Sequence, residues 1–171
     1  MKYLIAIPAM LALTACGGAS IGLDDSVSRG APSTYGIEDL PVDKVEDASF
    51  GSILNGLRDS RGIPAVTYDA RLDQAAQAHA DDMVERGFFS HVNPDGENEY
   101  DRIVATGYNP RSWGENLAGR QTSEADALVT WINSAEHNRL LNAETVNEYG
   151  LGVAGSGRGT RWVLVMASER D

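Results

Sequence analysis

The sequence predicts an α+β layered domain, and three observations carry that expectation. Apolar residues recur at helical spacing in three stretches of the first two thirds, around residues 50–57, 70–86 and 123–132. The last third changes period: Glu148–Ala154 and Arg161–Ala167 are β-rich runs separated by Gly155-Ser156-Gly157-Arg158-Gly159, the composition of a hairpin turn. The length of 171 residues, 42% hydrophobic and 23% charged, fits one globular domain with a modest tail. Helices followed by a terminal hairpin suggest helices layered on a sheet.

The chain opens with Lys2, an apolar run from Tyr3 to Leu13, and the small residues Thr14 and Ala15, which are the three parts of an export signal. The run contains Pro8 and falls well short of the ~20 apolar residues a membrane-spanning helix needs. Residues 1–15 are therefore read as a cleaved signal. Cys16 follows at once and is the only cysteine, so no internal disulfide is expected. From Gly17 to Val42 the chain is rich in Gly, Ser, Pro and Asp without sustained periodicity, and reads as a spacer. A coil of that length reaches ~25 to 30 Å. The folded domain is assigned to residues 43–171.

Within the domain, Phe50, Ile53, Leu54 and Leu57 define a first helix that should stop at Gly62, before Pro64. Ala65–Tyr68 is a strand candidate. Asp69 caps a long second helix, Ala70–Arg86, whose inner stripe is Leu72, Ala76, His79, Ala80 and Met83 and whose end is marked by Gly87. A short helix is expected over Tyr100–Thr106. Ser123-Glu124-Ala125-Asp126 has the form of a helix start, ahead of an apolar stripe at Ala125, Leu128, Val129 and Ile132.

Composition and spacing exclude several functions. A net charge of −11 leaves no footprint for binding a nucleic acid by counterion release. Gly150-Leu-Gly152-Val-Ala-Gly155 matches G-x-G-x-x-G but leads from strand to strand, whereas a dinucleotide site needs a helix N-terminus; close helix-on-sheet packing explains the glycines better. His79 reads as a core histidine with one nitrogen satisfied. Asn93-Pro94-Asp95-Gly96-Glu97 reads as a turn, because it lacks the bidentate acid of an EF-hand. There is neither a G-x-S-x-G elbow nor a free catalytic cysteine.

The remaining histidines, His91 and His137, fall where packing does not explain them. Glu115 sits in Trp113-Gly114-Glu115-Asn116-Leu117, boxed between an indole and a leucine, where an imidazole is a natural partner. Two imidazoles and a carboxylate can also hold zinc with one position open. The gaps of 24 and 22 residues match no short metalloprotease motif.

Two resemblances add to this reading. Leu13-Thr14-Ala15-Cys16 resembles the lipobox of bacterial lipoproteins, which implies an acylated Cys16, a membrane partner and a cell-envelope location. Gly17, where an inner-membrane retention mark would place Asp, implies the outer membrane if the cell has two. The ordered run of Ala75-Ala76-Gln77-Ala78-His79-Ala80, Phe88-Phe89-Ser90-His91, Pro94-Asp95-Gly96, Asp101-Arg102-Ile103, Gly114-Glu115-Asn116-Leu117, Trp131-Ile132-Asn133-Ser134 with His137, and Gly150-Leu151-Gly152 resembles the bacterial branch of the CAP superfamily, over about Phe50–Met166. These are relatives of cysteine-rich secretory proteins, antigen 5 and plant pathogenesis-related proteins.

That resemblance implies a three-layer α-β-α sandwich with a cavity where two histidines and two glutamates converge, in some members around zinc. Carried over by motif, the cavity residues are His91, Glu115 and His137, with His91 and His137 as metal ligands. The place of the second glutamate falls to Ser134, and Glu136 stands where a glycine is common before the histidine. The expected function is a lipid-anchored extracytoplasmic module that binds a lipid, a wall component or a metal, with catalysis not implied. The alternatives are a hydrolase using a metal or Glu115 as base, and a structural envelope module.

Overall fold

The computed structural model describes residues Phe50–Arg170; the signal segment 1–15, Cys16 and the spacer to Val42 lie outside the described residues, as does Asp43. The element order is α1 (Phe50–Ser60), β1 (Thr67–Tyr68), α2 (Ala70–Glu85), α3 (Glu99–Ala105), β2 (Pro110–Gly119), α4 (Glu124–Ile132), α5 (Ala135–Leu141), β3 (Glu148–Ala154), a 3-10 turn (Gly157–Gly159) and β4 (Arg161–Glu169). The sheet runs β1-β3-β4-β2. β1 pairs with β3 in parallel, and β4 pairs antiparallel with both β3 and β2.

Strand β4 sets the layers. Its successive side chains point to opposite faces: Trp162, Leu164 and Met166 pack with Phe50, Leu54, Leu128, Trp131 and Leu141 of α1, α4 and α5. Val163, Val165 and Ala167 pack with Leu72, Ala76, Met83 and Ile103 of α2 and α3. The result is the expected α-β-α sandwich, with an apolar core on each side of one sheet. Each fully buried aliphatic or aromatic side chain contributes about 1.5 to 3 kcal/mol.

The caps fall where the sequence placed them. Asp69 accepts from the backbone of Arg71 and Leu72 to start α2, and Ser123 accepts from Asp126 to start α4. Gly87 takes φ of 70° just beyond α2. The glycines of β3 are packing glycines: a Cβ on Gly150 would stand 2.1 Å from the Asp73 backbone nitrogen, and one on Gly152 2.4 Å from the Ala76 backbone. Helix α2 lies directly on the strand at both points.

Five features differ from the sequence expectations. The strand at Ala65–Tyr68 shortens to Thr67–Tyr68, and the final strand runs on to Glu169. The buried face of α4 is Ala127, Leu128 and Trp131, with Ala125, Val129 and Ile132 only partly covered, because Trp131 is drawn inward by its indole bond to the Leu117 carbonyl. A strand, β2, lies between helices and forms the sheet edge beside β4. Helix α5 follows α4 after a single break at Asn133-Ser134. No helix among the described residues is long and apolar enough to cross a membrane.

Candidate functional site

Glu115 is the centre of the site. It lies midway along β2, opposite Val165, and points to the α2 and α3 side of the sheet, as Leu117 does. Its side chain is only 1% exposed. A buried carboxylate is costly unless it is paired and hydrogen-bonded, and the chain supplies partners for both oxygens. Arg102 Nη2 donates to Oε2 at 2.8 Å, and His91 Nδ1 donates to Oε1 at 2.8 Å. His79 Nε2 stands 3.9 Å from Oε1.

Local structure fixes each partner. Arg102 rides on α3, which starts with a complete capping box between Asn98 and Asp101. Its remaining donors go to backbone carbonyls, Nη2 to His91 at 2.9 Å and Nη1 to Glu97 at 3.1 Å. Glu97 closes the Asn93–Glu97 turn, in which Asn93 Oδ1 accepts from the backbone of Asp95 and Glu97 and Gly96 takes φ of 91°. The turn is therefore satisfied from within and serves as a mount for Arg102.

His79, fully buried on the inner stripe of α2, donates from Nε2 to the Ser90 carbonyl at 2.9 Å. A carbonyl only accepts, so this bond places the proton on Nε2; Nδ1 is buried without a partner. Burial pulls the His79 pKa below the ordinary value, outweighing the opposing pull of Glu115. The Ser90-His91 segment is thus held by His79 on one side and Arg102 on the other. The His91 ring is 50% exposed, and its pKa is raised, chiefly by the bond to Glu115, with burial opposing. With Nδ1 spent on Glu115, Nε2 is the nitrogen left for an incoming group. Trp113 shares the β2 face of Glu115 and meets the Tyr100 ring at 4.8 Å, both more than a third exposed.

The structure joins His91 to Glu115 by a direct hydrogen bond, and none of the other predicted cavity residues bonds to either. His137 lies in the first turn of α5, and its carbonyl accepts from Asn116, a residue on the opposite face of β2 from Glu115. His137 is not among the ion-pair partners of Glu115, and its Nδ1 is buried without a hydrogen-bond partner. Ser134 is the N-cap of α5, accepting from the His137 backbone at 3.4 Å, and Glu136 is exposed. Arg102 and His79 are the site residues that sequence reasoning missed. The available signal was an arginine beside Ile103 on the inner face of a seven-residue helix.

As arranged, these residues do not fit the zinc that the resemblance implies. Among the described residues no group of three or more His, Cys, Asp or Glu side chains could hold a metal ion. A dication at Glu115 would have to displace a guanidinium from one oxygen and an imidazole from the other.

A three-layer sandwich with a His-Glu-Arg cluster at its sheet edge defines the class of protein. The chain belongs to the CAP family: the model of the "Cysteine-rich secretory protein family" matches residues 52–167. It is similar to the uncharacterised protein YkwD of Bacillus subtilis, 26% identical over 105 residues, which cover 61% of this chain and 41% of YkwD. It is also similar to the uncharacterised membrane protein YlbC of the same organism, 28% identical, covering 68% of this chain and 35% of YlbC. The chain spans less than half the length of these curated relatives. Its fold matches an extracellular protein containing an SCP domain from Bacillus anthracis, with TM-score 0.63 and 24% identity over 76% of this chain and 44% of that one. It also matches an outer surface protein of Borrelia burgdorferi, with TM-score 0.62 and 19% identity over 70% and 89% of the two chains.

Proposed function

We propose that the protein is a lipid-anchored CAP module of the cell envelope that binds a lipid or wall component at the site around His91, without turnover. The observation that carries this reading is the state of Glu115, whose two oxygens are both engaged by donors of the chain itself. A general base needs an oxygen open to water, and here the carboxylate is committed to holding His91. What faces outward is a fixed half-exposed imidazole with Trp113 and Tyr100 as apolar surface, a combination suited to recognition. The lipobox-like Leu13-Thr14-Ala15-Cys16 supports the anchor, and relatives described as extracellular, outer surface or membrane proteins support the location.

The test is a melting-temperature titration of the purified protein with wall fragments and with total lipid extract. A rise in the parent that is lost in His91→Ala is the expected result. No response of the parent to either preparation overturns the reading.

One observation favours a second reading. A carboxylate bonded to Nδ1 of a histidine whose Nε2 is free is the layout of an oriented base. Hydrolysis of wall fragments that disappears in His91→Gln, with the fold retained, would replace the binding module by a hydrolase.

A further inference from the structure

We infer a second site, built from Arg120 and Arg161, that binds a phosphate group. Beyond the last residue of β2, Phe89, Gly119, Arg120 and Arg161 line a cavity of about 360 Å³. The site uses neither His91 nor Glu115, so it stands independently of the function proposed above.

Arg120 has φ of 81°, and among the described residues it is the only non-glycine in the left-handed region. Glycine adopts that conformation freely, and a side chain there is strained. The backbone has a reason for the turn, since the Arg120 N–H reaches the Thr160 carbonyl at 3.0 Å as β2 ends against β4. The fold needs nothing from the arginine side chain, because glycine would make the same bond at lower cost. An arginine kept where the backbone favours glycine points to a task for its guanidinium.

Arg161 pairs with Gly119 across the strands, so the two arginines flank one point of the sheet edge. Its guanidinium lies over the Phe89 ring at 5.5 Å, its Nη1 donates to the Thr160 carbonyl at 3.0 Å, and its Nε is buried without a partner. Gly119 leaves the space between them open: a Cβ there would already stand 3.5 Å from the Phe89 ring and 3.6 Å from Arg161 Nη1, and a longer side chain would fill the cavity.

The charges point the same way. The chain carries 25 acidic residues against 14 basic ones, and the buried Arg102 and the partly exposed Arg71 and Arg86 have carboxylate partners. No carboxylate of the described residues forms an ion pair with Arg120 or Arg161; the same holds for Arg58, Arg111, Arg139, Arg158 and Arg170, but of these arginines only Arg120 and Arg161 line this cavity. Two guanidinium groups lining one cavity match the charge of a phosphate monoester, about −1.5 to −2 at neutral pH, and guanidinium N–H groups are good donors to phosphate oxygens. Phe89, 52% exposed, forms an apolar wall beside them for the organic part that carries the phosphate. A soluble phosphate ester and a phospholipid headgroup share this chemistry.

The test uses the full chain with Cys16→Ser, so that no acyl anchor contributes. Melting temperature is followed with inorganic phosphate against chloride at equal ionic strength, and cosedimentation with phosphatidylcholine vesicles with and without phosphatidic acid. The parent is expected to rise by roughly 2 °C or more in 20 mM phosphate, or to sediment with the phosphatidic acid vesicles alone. The first outcome assigns a soluble phosphate compound, the second a lipid headgroup. Arg120→Gly is expected to lose the response while melting higher than the parent by roughly 2 to 4 °C without ligand, because it relieves the left-handed strain. Arg161→Gln should lose the response as well, and Arg111→Gln, an exposed arginine at the other end of β2, should keep it. A parent that answers to neither probe overturns the inference. So does an Arg120→Gly variant that keeps the response, or one that melts lower than the parent, since that would give the side chain a structural role.

Discussion

Arg58 and Arg102 are buried on opposite sides of the same sheet, and their partners differ in kind. Arg58, on α1, gives its donors to backbone carbonyls: Nε to Pro64 at 2.7 Å, Nη1 to Leu141 at 2.8 Å and Nη2 to Ala143 at 3.1 Å. Leu141 ends α5, so Arg58 satisfies a carbonyl the helix leaves open. Burial pulls its pKa below the ordinary arginine value, with Glu144 opposing. Arg102 also holds two carbonyls, but its third acceptor is the Glu115 carboxylate, whose other oxygen holds a half-exposed imidazole. A buried cation that meets only backbone closes a frame. One that meets a buried side chain leading outward builds a site.

The largest effect should come from breaking the frame. Arg58→Met removes a charge from the core but leaves three carbonyls without donors, and is expected to cost about 3 to 5 kcal/mol in chemical denaturation. A loss under about 1 kcal/mol would show that these carbonyls find water, and the contrast between the two arginines would fail. Glu115→Gln comes next. It leaves Arg102 buried beside a neutral amide, with an expected loss of about 2 to 3 kcal/mol. It also removes the main cause of the raised His91 pKa, so the His91 ring, followed by NMR, should titrate at lower pH than in the parent. Arg58→Met, measured while folded, should leave that titration in place; movement in both variants would join the two arginines into one network.

The frame was far more legible in sequence than the site. Asp69, Ser123 and Gly87 announced their helix ends because capping is local chemistry, satisfied within three or four residues. Strand β2 escaped because polar or small residues fall on both of its faces. Trp113, Glu115 and Leu117 line one, and Gly114, Asn116 and Ala118 the other, so hydrophobicity never alternates. Helix α5 buries only Leu141, too little for a periodic signal. His79 was legible as a buried histidine with one satisfied nitrogen, but its approach to Glu115 joins α2 to β2, and no local pattern records such a pairing. The same holds for Arg102, which resembles any arginine of a short helix until β2 is laid beside it.

The smallest predicted effect lies in the pH dependence, where the two histidines of the site oppose each other. His79 has a folded-state pKa below its unfolded value, because burial disfavours the imidazolium. Its influence is absent at high pH, and it costs stability as pH falls from the unfolded value, ~6.5, toward its own lower pKa. His91 has a folded-state pKa above the unfolded value, because Glu115 binds the imidazolium. Its contribution is complete below ~6.5 and is lost as pH rises through the folded pKa. Acidification therefore weakens the protein through His79 and strengthens it through His91. Solvent screening of the half-exposed His91 pair limits that gain to about 0.5 kcal/mol. Denaturation between pH 8 and pH 5 should show His91→Gln losing stability more steeply toward acid than the parent, and His79→Gln less steeply. If His91→Gln instead ran parallel to the parent, the bond between His91 and Glu115 would contribute nothing in solution, and Arg102 would hold a carboxylate that leads nowhere, as closed as the frame around Arg58.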